Sequence, residues 1–76
     1  MIFLIQYNRA DGRIVRFQEF QDAEREAAAN ERLEIELDLN RKGIEHDVLL
    51  LEALSQEALR RTHRRFFEDV SEIAST

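Results

Sequence analysis

The chain of 76 residues contains no cysteine, proline or tryptophan, and it has only two glycines and one tyrosine. Without cysteine it has no disulfide, no thiolate nucleophile and no cysteine-based zinc or iron–sulfur site. No apolar run approaches the ~18 residues that cross a membrane, and no basic segment precedes an apolar signal region. We therefore expect a soluble, cytoplasmic protein.

The length allows one domain, because chains this short bury only about 60% of the surface that the unfolded chain exposes. The apolar fraction of 43% is ordinary for a globular protein, whereas the charged fraction of 36% is high. The apolar residues nevertheless cluster in periodic segments, which indicates a folded chain. We predict a single domain over residues 1–73 and a frayed tail over residues 74–76.

Two strands are predicted in the first part of the chain. Residues 2–8 begin with four consecutive apolar side chains, which is typical of a central strand buried on both faces. Residues 13–20 are rich in β-branched and aromatic types but are interrupted by charges, which favours an edge strand. Asp11 and Gly12 lie between them and tolerate the positive φ angles of a tight turn. We predict a β-hairpin.

The next segment is predicted to be a long helix. Asp22 is a suitable N-cap, residues 23–42 are strong helix formers almost throughout, and Gly43 suits the left-handed position after a helix. Residues 33–39 alternate strictly between aliphatic and acidic types, which is the period of a strand. Leucine and glutamate favour the helix, so we predict one, and a strand over residues 33–39 is the alternative.

A third strand is predicted over residues 45–53, around an aliphatic run at residues 48–51. Ser55 then caps a second helix that continues to about Phe67, with an extension to Ile73 left open. The order of elements is ββαβα. These elements predict an α+β fold, a two-layer sandwich in which a three-stranded sheet of order 2-1-3 carries both helices on one face.

The apolar residues predict self-association. On the first helix, Ile35 and Leu39 lie nearly opposite Leu33 and Leu37, so only one of these pairs can face the sheet. The strands are apolar on both faces, and two helices on one face leave the other face bare. We predict a homodimer that uses Ile35 and Leu39, the open sheet face, or both. The alternative is that the second helix covers the remaining side of the first.

The charges are distributed unevenly within a net charge of −5. Residues 19–38 hold eight acids and two bases, whereas residues 58–67 hold four bases and no acid. Arginine binds phosphate oxygens in a bidentate manner, so this basic face is a candidate site for an anion or a protein partner. Nearby acids such as Glu57 compete for the same side chains. The candidate residues are Arg60, Arg61, Arg64 and Arg65, with His63 at the edge of the apolar face.

No pattern in the sequence supports catalysis. It contains no spaced Ser-His-Asp set, no glycine-rich phosphate loop and no spaced metal ligands, so we expect no enzyme, no cofactor and no metal. The predicted function is a small, non-enzymatic protein-interaction module that self-associates, with a further protein partner possible. The alternative is an RNA- or DNA-binding domain that uses the arginine face of the second helix.

Overall fold

The computed structural model describes residues 1–64 of the chain. The strands and helices follow one another as β1 (Ile2–Asn8), β2 (Arg13–Phe20), α1 (Arg25–Lys42), β3 (Asp47–Glu52) and α2 (Gln56–Thr62). The sheet has the order β2-β1-β3, and β1 is antiparallel to both neighbours. The predicted α+β fold and strand order are confirmed. Helix α2 ends at Thr62, with His63 as its C-cap, and so does not continue to Phe67 as predicted. The predicted tail over residues 74–76 lies outside the described residues.

The hairpin of β1 and β2 agrees with the sequence in its bounds and in its turn. Gly12 has φ +66°, and its N–H donates to the carbonyl oxygen of Asn8 at 2.8 Å. The first five residues of β1 are buried, as expected for a central strand. The β1–β2 register shifts between Gln6 and Tyr7, so the ladder is irregular near the turn.

The start of the long helix differs from the prediction. Gln21, and not Asp22, precedes the first turn, which is a 3₁₀ turn over Asp22–Glu24 that leads into α1. The backbone N–H of Gln21 donates to Oε1 of Glu24 at 2.9 Å. The carboxylate of Asp22 lies 2.9 Å from the amino group of Met1, whose hydrogen bond holds the pKa of Asp22 below its usual value.

The segment that alternates like a strand is helical throughout. Residues 33–39 lie in the middle of α1, which ends at Gly43 with φ +67° as predicted. The N–H groups of Gly43 and Ile44 donate to Asn40 and Leu39 and so close the last turn. Among residues 1–64, no helix has the length and apolar character to span a membrane.

The two helices pack on opposite faces of the sheet. Helix α1 buries Ala28, Ile35 and Leu39 in a cluster with Ile2 and Leu4. Helix α2 buries Leu59 in a second cluster, with Phe3 and Ile5. Successive side chains of a strand point to opposite faces, so the two clusters lie on either side of β1.

The prediction that both helices share one face is therefore wrong. Strand β1 is apolar on both faces, and each face is covered by a different helix because burial of either face is favourable. Leu59 is fully buried, so α2 covers part of the face that the sequence analysis left bare. The prediction of self-association through a sheet face without a helix therefore loses its basis.

Candidate interaction surfaces

The residues predicted for self-association lie inside the protein. Ile35 and Leu39 are 9% and 8% exposed, respectively, and both pack against the sheet. Their assignment to a surface that binds a second copy is therefore wrong, because the core of a single chain already uses them. Leu33 and Leu37 form the exposed pair instead, with 53% and 55% of their surface accessible.

The predicted arginine face is partly present in the described residues. Arg60, Arg61 and Arg64 are exposed, and Arg65 lies outside the described residues. Nη2 of Arg61 lies 2.9 Å from Oε1 of Glu57, one helical turn earlier. Arg60 and Arg64 also take part in interactions, so the face is not a set of free cations.

His63 ends helix α2 and does not extend the arginine face. Its backbone N–H donates to the carbonyl oxygen of Leu59 at 2.9 Å, and the residue is half-buried and takes part in a further interaction. In residues 1–64, no group of three or more His, Asp or Glu side chains is placed to hold a metal ion. Arg60 and Arg61 therefore lie in the last turn of α2, and Arg64 lies just after the helix.

A cleft lies where the β1–β2 turn approaches the loop between α1 and β3. It has a volume of about 760 Å³ and is lined by residues 8–10 and 43–47. Nε of Arg9 lies 2.9 Å from Oδ2 of Asp47, and Nε2 of Gln6 lies 2.8 Å from Nδ1 of His46. These polar groups are paired with one another, so the cleft shows no convergent set of side chains aimed at a ligand.

The outer edge of β3 is a surface that the sequence analysis did not single out. Ala53 N–H donates to the Met1 carbonyl at 3.1 Å, and Ile2 lies opposite Glu52 in the β1–β3 register. Because antiparallel pairs alternate, residues 47, 49 and 51 direct their backbone groups toward β1. Residues 48, 50 and 52 direct theirs outward, where no strand of residues 1–64 pairs with them.

The side chains of β3 are aliphatic between its two ends. Residues 48–51 are valine and three leucines, all half-buried, and the acids Asp47 and Glu52 lie at the ends. Proteins usually protect sheet edges with charged side chains, bulges or covering segments. The other edge of the sheet, β2, has such protection, because Arg16 and Glu19 lie within it. Strand β3 has no charge between its ends.

Ion pairs connect α1 to both edge strands of the sheet. Arg25 pairs with Glu52 at the end of β3, on one flank of the helix. On the other flank, Nη1 of Arg16 on β2 lies 3.1 Å from Oε1 of Glu31. Helix α1 packs over β3 and β1 more than over β2. One flank of α1 therefore faces the open edge of β3.

The signal for this edge was present in the sequence. The aliphatic run at residues 48–51 and the order 2-1-3 were both predicted, and together they place an apolar strand at an edge. No protein-family model, curated protein or solved structure matches the chain. Function must therefore be inferred from the surfaces described above.

Proposed function

We propose that the chain is a small, non-enzymatic protein-interaction module that forms a homodimer through the outer edge of β3. The observation that supports this proposal is the aliphatic strand at a sheet edge, with the backbone groups of Val48, Leu50 and Glu52 directed outward. An open sheet edge with no charge between its ends pairs readily with another strand. The proposed partner is a second copy of the chain, because it presents an identical open strand edge.

The proposed contact is antiparallel and centred on Leu50. Leu50 of one copy lies opposite Leu50 of the other, and Val48 lies opposite Glu52 of the second copy. This register uses the outward N–H and C=O groups of all three residues in both chains. It joins two three-stranded sheets into one continuous sheet.

The side chains suit this register. Val48 and Leu50 remain on the face covered by α1, and Leu49 and Leu51 remain on the other, so both apolar layers continue across the contact. Each Å² of apolar surface removed from water contributes about 25 cal/mol. Asp47 and Glu52 do not face each other, which avoids a like-charge pair across the strands.

A proline at the end of the strand tests the proposal. Glu52 is exposed and its N–H points outward, so Glu52→Pro removes an intermolecular donor while the β1–β3 ladder is kept. Glu52→Ala is the matched control, since it also removes the pair with Arg25 but keeps the N–H. We expect dimers for the wild type and Glu52→Ala and monomers for Glu52→Pro, by sedimentation equilibrium.

Two outcomes of this experiment contradict the proposal. One is a wild-type chain that sediments as a 9.0 kDa monomer across the micromolar range. The other is a Glu52→Pro variant that folds, by circular dichroism, and associates as tightly as Glu52→Ala. In that second case the dimer exists but does not use the edge of β3.

The second candidate function is RNA or DNA binding by Arg60, Arg61, Arg64 and Arg65. Three of these arginines are exposed at or just beyond α2, which favours nucleic-acid binding. The Arg61–Glu57 pair and the net charge of −5 weigh against it. If each arginine meets a phosphate, log affinity for a single-stranded oligonucleotide falls with log salt with a slope of about −3. Fluorescence anisotropy that detects no binding at low salt would remove this candidate.

A further inference from the structure

We propose that the same dimer has a second layer, in which the two copies of α1 pack side by side above the joined sheet. This inference rests on the proposed β3 contact and extends it to a set of helix residues. The helix surface nearest the edge of β3 is here named the β3 flank of α1. It consists of Arg25, Ala29, Arg32, Leu33, Glu36 and Asn40.

Contacts within the chain place this flank. The Arg25–Glu52 pair marks its position beside the end of β3, and the Arg16–Glu31 pair marks the opposite side of the helix. The buried residues Ala28, Ile35 and Leu39 define the direction toward the sheet. At 100° per residue, Ala29 and Glu36 then point sideways from α1, toward the open edge of β3.

The spacing of sheets and helices brings the two flanks together. Paired strands lie about 4.8 Å apart, so β3 of one copy lies that far from β3 of the other. Helix α1 packs over β1 and β3. Its axis then lies about 5 Å from the twofold axis, and the two helix axes are about 10 Å apart, within the usual packing distance. The symmetry makes these helices antiparallel.

The residues of the β3 flank suit a contact with their own copy. Ala29 is small and exposed, and Leu33 is large and 53% exposed, so each can pack against the other across the twofold axis. Arg25, Arg32 and Glu36 carry charges of both signs around them, and Nε of Arg32 already lies 3.3 Å from Oε1 of Glu36. In the proposed contact, an arginine of one copy lies near Glu36 of the other.

The opposite flank of α1 carries Glu31, Glu34 and Asp38. Glu31 pairs with Arg16, and Asp38 pairs with Arg41 and Lys42, so these two acids are already neutralised within the chain. Glu34 has no ion-pair partner among the described residues, and it would lie near its own copy if two such flanks met. The strand contact places the β3 flank, and not this one, at the twofold axis.

Single cysteines test the helix contact directly, because the chain has none of its own. Ala29 and Ala27 are both exposed alanines on α1, but Ala29 lies on the β3 flank and Ala27 on the opposite one. We expect Ala29→Cys to give a covalent dimer with a short bifunctional thiol cross-linker at least tenfold faster than Ala27→Cys. Equal rates for the two variants overturn the inference.

A second pair of variants tests the helix contact through the equilibrium constant of dimerisation. Leu33→Glu should weaken dimerisation about tenfold or more, because it places a charge in the contact, while the equally exposed Leu37→Glu leaves affinity unchanged. Equal losses for both variants contradict the helix layer. If Glu52→Pro dissociates the dimer but neither helix pair shows a difference, the β3 contact stands and the helix layer is wrong. A monomeric wild type defeats both proposals.

Discussion

The side-chain nitrogen of Gln6 lies 2.8 Å from Nδ1 of His46, and this hydrogen bond joins the central strand to the loop that leads into β3. Gln6 is 8% exposed, and among residues 1–64 it is the one polar residue that is buried. Its amide N–H donates to the imidazole nitrogen. A buried amide that loses its partner is costly, so the pair stabilises the sheet near its irregular end.

Removal of the imidazole should therefore destabilise the protein. We expect His46→Ala to lower the free energy of unfolding by about 1–3 kcal/mol, because it leaves the Gln6 amide buried without that partner. Gln6→Leu in the same background should recover part of the loss. Urea denaturation of the two single variants and the double variant measures the coupling, and additive effects would show that the two side chains do not stabilise each other.

The second core depends on one leucine of a short helix. Leu59 is fully buried against Phe3 and Ile5, so Leu59→Ala should cost about 2–5 kcal/mol of stability. Leu54 is 91% exposed, and Leu54→Ala is the matched control with a change of less than about 0.5 kcal/mol. Equal midpoints for the two variants in urea would contradict the placement of α2.

The end of α1 depends on a left-handed residue. A side-chain carbon at Gly43 would meet no atom within 4 Å, so the cost of Gly43→Ala comes from its φ of +67° alone. We expect a loss of about 1–2 kcal/mol for alanine and a smaller loss for Gly43→Asn, since asparagine tolerates this conformation. Thermal denaturation that shows both variants as stable as the wild type would be inconsistent with this cap.

The last turn of α1 contributes a dependence on pH. The hydrogen bond from Lys42, at 3.0 Å, holds the pKa of Asp38 below its usual value of 3.8, and the charge of Arg41 acts in the same direction. A carboxyl whose pKa is lowered by folding stabilises the protein when it is ionised. This contribution is full above pH 3.8 and disappears as the pH falls through the lowered pKa.

Two measurements check the titration of Asp38. In an NMR titration, Lys42→Met should raise the pKa of Asp38 toward its usual value, and Arg41→Met should raise it less. The stability of the wild type should also exceed that of Asp38→Asn near neutral pH and approach it in acid. If the difference in free energy of unfolding between these two proteins stays constant from neutral to acidic pH, it arises from packing and not from the titration of Asp38.

Much of the fold could be predicted because local signals agree with it. Four consecutive apolar residues defined β1, the Asp11-Gly12 pair defined its turn, and Gly43 defined the end of α1. The alternation in residues 33–39 was the ambiguous case. Helix propensity decided it correctly, because Leu33 and Leu37 remain exposed and do not need the buried face that a strand period would provide.

The faces of the elements could not be predicted in the same way. Ile35 and Leu39 have the same spacing as Leu33 and Leu37, so periodicity alone does not say which pair faces the sheet. The outcome depends on tertiary contacts, in which Ala28 extends the Ile35 and Leu39 stripe against β1. Similarly, the direction in which residues 53–55 leave β3 sets the face of the sheet that α2 covers. The residue types of this segment do not determine that direction.

The central position of β1 also has a consequence for how the chain folds. The β1–β2 hairpin is local, so it can form on a microsecond time scale. Ile2 must then pair with Glu52, which lies almost at the other end of the described chain. Closure of such a long loop has a high entropic cost and slows folding. Docking of β3 should therefore be the late step, and until it occurs β1 has one unpaired side.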